Sequence, residues 1–441
     1  MKRYDTYKPS GIEWLGEIPE HWEVKRVKDV TKYVKTGTTP AASKGDFFTD
    51  GTEIWFTPSD INNGNIENSN RKVTISAFEE RELTFFPENS VYLIGIGGTQ
   101  GKVAICSIKA SCNQQINVLV GSKVVFPRFL FYQIVVTGST LLKWSNYTTM
   151  PIFTQSDTKY LGFILPQYSE QTAIANYLDT KTAAIDRKLE LLTAKIDKYK
   201  ALRRSLINET VCRGLNPNAP LKDSGIEWIG MIPAHWEIKR MKSLGEIETS
   251  SVDKKTLDNE ALIKLVNYTD IYGNTNKEIW NNDNYMIVSA NEKQLKSKKL
   301  RTGDVLFTPS SETIEDIGVS AVVMEDLNNT LYSYHILRFK FYEILDLKFK
   351  KYMLNNDFVQ YYFSKSASGT TRKILGLNIF WNLHVILPPL AEQIEIGQYL
   401  DEKTTQIDTI LTNIGEQINK LTQLRKTLIN DVVTGQLKVT D

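Results

Sequence analysis

The stretch SGIEWLGEIPEHWEVKRVK at residues 10–28 recurs 214 residues later as SGIEWIGMIPAHWEIKRMK at 224–242, with fourteen of nineteen positions identical. A second pair closes each copy: ILPQYSEQTAIANYLDTKTAAID at 164–186 and ILPPLAEQIEIGQYLDEKTTQID at 386–408, now 222 residues apart. Between these ends only fragments match: Ser59-Asp60-Ile61 with Thr269-Asp270-Ile271, Tyr132 with Tyr352, and Thr148-Thr149 with Thr370-Thr371. A chain of 441 residues built in this way folds as two copies of one plan. Each copy has a shared entrance, a divergent middle and a shared exit.

The middles carry short apolar runs broken by Gly, Asn and Pro, which predict strands. In copy one these are Ile54–Phe56, Val91–Ile94, Val103–Ile105 and Ile116–Val120; in copy two, Asp304–Phe307 and Ala321–Val323. Helical stretches near 128–143 and 347–364 are expected to pack on them, giving a mixed α/β (α+β) domain per copy. The exits read differently. In heptad terms, d is Leu178, Ile185, Leu192, Tyr199 and Leu206, while a is Thr182, Leu189, Ile196 and Arg203. The second exit keeps the register, with d at Leu400, Ile407, Ile414, Leu421 and Leu428 and a at Thr404, Leu411, Ile418 and Arg425. A lone amphipathic helix packed on its own domain is the alternative. The same 3.5-residue period in both copies favours a coiled-coil seam. Gly214 and Gly435 read as helix stops, and Asn216–Pro220 as a linker.

Ordinary composition, 41% hydrophobic and 24% charged, excludes wholesale disorder. Three cysteines (Cys106, Cys112, Cys212) cannot form a disulfide framework and favour a reducing compartment. The opening MKRYDTYKPSGIEW lacks the apolar core of a signal peptide. No apolar run approaches the roughly 18 residues that span a bilayer, so no membrane partner and a cytoplasmic location are expected.

Catalytic motifs are lacking. GIGGTQGKVAI (95–105) resembles a phosphate loop, but Ile96 stands where the first Gly belongs and Val103 replaces the magnesium-binding hydroxyl. A tight strand-to-strand turn accounts for it better. No Asn-Pro-Pro-aromatic or Asp-Pro-Pro-Tyr motif of an amino-methyltransferase occurs. Pro19-Glu20 with Glu23-Val24-Lys25 is too tightly spaced for a nuclease metal site, and copy two has Ala234 in place of the acid. The four histidines (His21, His235, His335, His384) are scattered and no Cys-x-x-Cys exists, so no metal site is expected. His21 and His235, in the repeated frame, read as packing or capping residues. The frame tryptophans Trp14, Trp22, Trp228 and Trp236 read as core or docking residues.

Charge is unevenly placed. The net +2 divides into +5 over residues 1–220 and −3 over 221–441. No carboxylate lies between Glu88 and Asp157, a stretch that carries Lys102, Lys109, Lys123, Arg128 and Lys143 among Asn113, Gln114, Gln115, Tyr147, Thr148 and Thr149. Copy two has an acid-free tract at 358–391 with Lys365, Arg372 and Lys373, and a basic cluster of Lys293, Lys296, Lys298, Lys299 and Arg301. Basic residues attract phosphates and polar side chains read base edges, so these tracts point to DNA-facing surfaces, with merely solvated turns as the alternative.

The repeated entrance and exit resemble those of the DNA specificity subunits of type I restriction–modification systems. So do Gly101–Ile105 with Cys112-Asn113-Gln114-Gln115, and Gly303–Phe307. The resemblance covers nearly the whole chain. It implies two tandem target recognition domains joined by two long helices in an antiparallel coiled coil with pseudo-twofold symmetry. Domain one, with the entrance, is then 1–165, the first spacer helix 166–215, linker and domain two 216–387, and the second spacer helix and tail 388–441. The chain itself is expected to be a non-catalytic subunit without cofactors. The implied partners are double-stranded DNA, two modification (methyltransferase) subunits and restriction subunits. They would bring S-adenosylmethionine, ATP and magnesium for adenine-N6 methylation and ATP-dependent cleavage.

From Leu178 to Leu206 is 28 steps, about 42 Å of helix, or roughly twelve base pairs. Two differing domains on such a rod suit an asymmetric bipartite site. The candidate DNA contacts are Ser59, Asn62, Asn63, Thr99, Gln100, Lys102, Gln114, Gln115 and Thr148 in domain one. In domain two they are Tyr268, Tyr272, Asn274, Ser310, Glu312, Thr313, His335 and Arg372. Glu312 can accept from cytosine N4. Copy two carries Ser310–Gly318 in place of the glycine turn, so Lys102 has no counterpart there. The competing function is a non-DNA adaptor whose coiled coil joins proteins; a stand-alone enzyme ranks third.

Overall fold

The computed structural model describes residues 2–41, 43, 45–144 and 152–439, the side chains of 139–144 excepted. It divides into two compact units, Met1–Leu192 with Glu416–Asp441, and Thr193–Gly415. Each unit takes part of both long helices, whereas the sequence division set each rod apart as a segment of its own.

The first unit is built on an antiparallel sheet of β1 (Thr31–Thr36), β2 (Ser90–Ile94), β3 (Val103–Cys106) and β4 (Ile116–Gly121), in the order β1-β4-β2-β3. The second has β5 (Gly245–Thr249), β6 (Glu278–Ile279), β7 (Val305–Phe307), β8 (Ser320–Val323) and β9 (Leu337–Phe341), in the order β5-β9-β7-β8-β6. Without β6, which pairs parallel to β8, the two sheets have the same order and sense.

The uninterrupted apolar runs follow from burial on both faces. Val91 and Leu93 of β2, with Val103 and Ile105 of β3, join the core under helix Pro127–Trp144. The alternate residues Tyr92, Ile94, Ala104 and Cys106 join a second core with Phe56 and Ile61. Copy two repeats the split, with Val305 and Phe307 on one side and Leu306 on the other. The expected helix near 347–364 is two helices, Leu347–Leu354 and Asp357–Ser366. Asn355 and Asn356 break it: the Asn356 side chain accepts from Val359 N at 3.0 Å and caps the second helix.

The exits form α1 (Tyr168–Arg213, 46 residues) and α2 (Leu390–Val433, 44 residues). The expected seam positions are buried or half-buried along both helices, and most residues between them are exposed. In the first unit Arg425 of α2 donates to both carboxylate oxygens of Asp186 in α1, at 2.8 and 3.1 Å. In the second, Arg203 of α1 donates to Asp408 of α2 at 3.1 and 3.4 Å. Early α1 thus lies beside late α2, and late α1 beside early α2, which makes the pair antiparallel. The a-position arginines are therefore register pins rather than breaks in the seam.

Candidate nucleic-acid interface

The repeated motifs find each other and hold the frame on which the loops stand. In the first unit the Glu170 carboxylate accepts from Trp22 Nε1 at 3.0 Å and Tyr4 Oη at 2.6 Å, with His21 Nε2 at 3.1 Å. In the second, Glu392 accepts from Trp236 Nε1 at 3.0 Å and contacts His235 Nε2 at 2.6 Å. Trp22 and Trp236 are fully buried, as the frame reading expected. Each also meets the end of a long helix: Gly214 has φ +73°, and a Cβ there would stand 2.9 Å from the Trp236 ring. At Gly435, φ +76°, a Cβ would run into the Pro19 ring and stand 3.0 Å from Trp22. Left-handed backbone and close approach together demand glycine at both stops. The matched tyrosines also have one role. Tyr132 donates to Asp179 at 2.6 Å and Tyr352 to Asp401 at 2.8 Å, each beside the threonine three residues on.

On that frame the polar loops gather at one end of each sheet. In the first unit this end carries the loops after β1, between β2 and β3, and before β4. They are tied together by Thr38 N to Cys112 O (2.9 Å), Gly95 N to Gln115 O (2.8 Å) and a bond from Thr39 Oγ1 to Gln114. The one-turn helix Pro58–Asp60 joins them, its Asp60 accepting from Thr57 N at 2.7 Å. The matched segment of copy two is helix Tyr268–Tyr272, where Asp270 accepts from Asn267 N at 2.7 Å. Ser59, Asn62, Thr99, Lys102 and Gln114 are exposed at this end.

Three candidates in the first unit instead serve the fold. Gln100 is 3% exposed and donates to Gly95 O. Asn63 accepts from Val103 N at 2.8 Å. Gln115 accepts from Asn113 Nδ2 at 2.9 Å. Thr148 lies outside the described residues, as do Tyr147, Thr149 and the Lys143 side chain. The glycine segment is, as expected, the turn of the β2–β3 hairpin.

In the second unit the corresponding end carries the β7–β8 loop and the residues before β9. Glu312, Thr313 and Arg372 are exposed, while Ser310, Tyr268 and His335 are half-buried. Tyr272 donates to Asp316 Oδ2 at 2.9 Å, and Thr313 to the same oxygen at 3.2 Å. Tyr268 stacks on Tyr272 with ring centroids 5.3 Å apart. Burial, then the charges of Arg372 and Lys254, push the His335 imidazole below its ordinary value and keep it neutral at pH 7, with one donor and one acceptor nitrogen. Asn274 is drawn into the fold, donating to Glu278 O at 2.6 Å. Tyr334, 48% exposed with its ring centroid 3.8 Å from that of His335, was missed by sequence reasoning. Its position, at the spot where copy one has the exposed Gln114 ahead of its strand, was the available signal.

The basic tracts are thinner than expected. Arg128 is tied to Asp179 at 2.7 Å, Lys298 to Glu248 and Arg301 to Asp326. Lys102, Lys123, Lys299 and Arg372 remain exposed. Among the described residues, no group of three or more His, Cys, Asp or Glu could hold a metal, and no helix is long and apolar enough to cross a membrane.

Residues 19–197 and 233–420 each match the type I restriction modification DNA specificity domain. The chain belongs to this family. A type I restriction enzyme specificity subunit of Methanocaldococcus jannaschii, MjaIX, is 25% identical over 454 aligned positions, covering 96% of this chain and 95% of its own. The EcoKI specificity subunit of Escherichia coli K12 is 21% identical, covering 96% and 90%. Among solved structures, a chain from a study of complex assembly and conformational transition in a type I system aligns with a TM-score of 0.71 at 16% identity, over 95% of this chain and 99% of that one. The HsdS subunit of Thermoanaerobacter tengcongensis aligns at 0.53 and 16%, over 95% and 98%. These two likenesses concern the fold, and the two specificity domains of this chain correspond to its two repeats.

Proposed function

We propose that this chain gives a type I restriction–modification enzyme its DNA sequence specificity, with each specificity domain reading one half of an asymmetric bipartite site. The observation that carries the reading is the pairing of a common frame with unlike loop ends. The same sheet end presents Thr99 and Gln114 in one copy and Glu312, Thr313, Tyr334 and His335 in the other. Such side chains read different base edges.

The chain is a non-catalytic subunit. Its partners are duplex DNA and the other subunits of the system, and two modification subunits docked on the helical frame fit the two-copy plan. S-adenosylmethionine, ATP and magnesium belong to those partners, which methylate adenine N6 and cleave; the assembly works in the cytoplasm.

Salt titration of duplex binding by the chain assembled with its modification subunits tests this. A protein making six to ten phosphate contacts loses roughly 10³–10⁵ in affinity between 50 and 200 mM salt. Salt-independent binding, or none, would favour a protein-joining adaptor.

A further inference from the structure

Beside the recognition loops of the first unit lies a cleft of about 520 Å³, between the β2–β3 turn and the last turns of α2. Its lining includes Lys102, Arg425 and Lys426 and not one carboxylate. Arg425 is neutralised by Asp186. Lys102 and Lys426 are exposed and have no acidic partner among the described residues. The absence of any carboxylate between Glu88 and Asp157 leaves nothing near Lys102 in sequence to compensate it.

In the second unit the counterparts of this lining are divided between two clefts. In one, of about 290 Å³, Arg203, Lys277 and Lys351 face Glu278, Asp401 and Asp408. In the other, of about 740 Å³, Lys200, Arg204 and Arg213 stand with Glu209 and Asp357. At the 222-residue spacing of the exits, Lys426 corresponds to Arg204, which is held by Asp357 at 2.6 Å. Asp357 stands five residues after Tyr352; five residues after the matching Tyr132 stands Thr137. One copy therefore carries the acid that silences this cation and the other does not.

We propose that Lys102 and Lys426 form a phosphate clamp that grips the DNA backbone flanking the half-site read by the first copy, with no equivalent in the second. The clamp fixes position without reading sequence, because phosphates carry none. It rests on the DNA-specificity reading.

The test uses the full chain assembled with its modification subunits, on one duplex containing the methylated target and one lacking it. Each neutralised phosphate contributes a slope of about −0.9 in log K against log salt. K102A/K426A should flatten the slope by about 1.8 on both duplexes. The affinity gap to the unaltered complex should then narrow roughly 12-fold between 50 and 200 mM salt. K102R/K426R should keep the slope, and R204A should not change it. The methylated sequence should stay the same in every variant. If the unaltered complex shows a steep slope and K102A/K426A matches it, the clamp is refuted while the specificity reading stands. If the unaltered complex shows no salt-dependent binding, the specificity reading itself falls, and the clamp with it.

Discussion

Glu170→Ala would remove the acceptor that joins the entrance of copy one to its exit. Trp22 is fully buried, and its indole N–H can only donate. Leaving that donor unpaired costs about 1–3 kcal/mol, toward the upper end because its partner is a carboxylate. Tyr4 borders an open cleft shared with His21 and Lys438, so water can replace part of what its hydroxyl loses, about 1 kcal/mol more. The total is about 3–4 kcal/mol. Glu170→Gln should cost only about 1 kcal/mol, since the amide oxygen can serve Trp22 while the Tyr4 hydroxyl turns to accept from the amide nitrogen. Hydrogen exchange followed by mass spectrometry reads this at the paired strands Glu23–Arg26 and Gly162–Leu165. Their opening should become at least roughly 150-fold more frequent in the Ala variant and about fivefold in the Gln variant. The equivalent strands Glu237–Arg240 and His384–Leu387 serve as the internal reference. Ala and Gln variants that exchange alike would refute the donor-by-donor reasoning.

Burial lowers the Lys350 ammonium from the ordinary 10.5 to about 8. Below about pH 8 both folded and unfolded chains hold the proton and the burial cost is fully present; between about 8 and 10.5 only the unfolded chain keeps it, so stability rises with pH. Lys350→Met should stabilise the second unit by about 2 kcal/mol at pH 7, allowing for the lost bond to Gly303 O, and abolish that rise in urea titrations. Asp186→Arg should lower thermal stability by about 1 kcal/mol, and adding Arg425→Asp should restore it, since the partly exposed pair is bidentate. Gly214→Ala should cost about 1–3 kcal/mol in the same melt, combining left-handed strain with the push against Trp236.

What could be read from sequence was what repeats. His-Trp in the entrance and Glu-Gln in the exit recur together, and the structure joins them; Tyr132 and Tyr352 recur with their Asp-x-x-Thr partners, and those meet too. The heptads were legible because one period runs through the whole of each exit. The significance of Arg203 and Arg425 was not, because each is answered by an aspartate in the other helix. Loop amides were the weakest ground. Exposed Gln114 and half-buried Gln115 are neighbours of one residue type, and only the arrival of the β2–β3 turn at Ile96 and Gly95 decides which faces inward. The same holds for Arg128, whose charge reads as free until α1 brings Asp179 to it.

Two recognition units, each reading one half of a single target, are the core of the proposed function. Exchanging residues 29–163 for the first domain of another family member, then sequencing the methylated sites of a host expressing the system, tests it most directly. One half of the methylated site should change while the other half is retained. A change in both halves, or in neither, would contradict it.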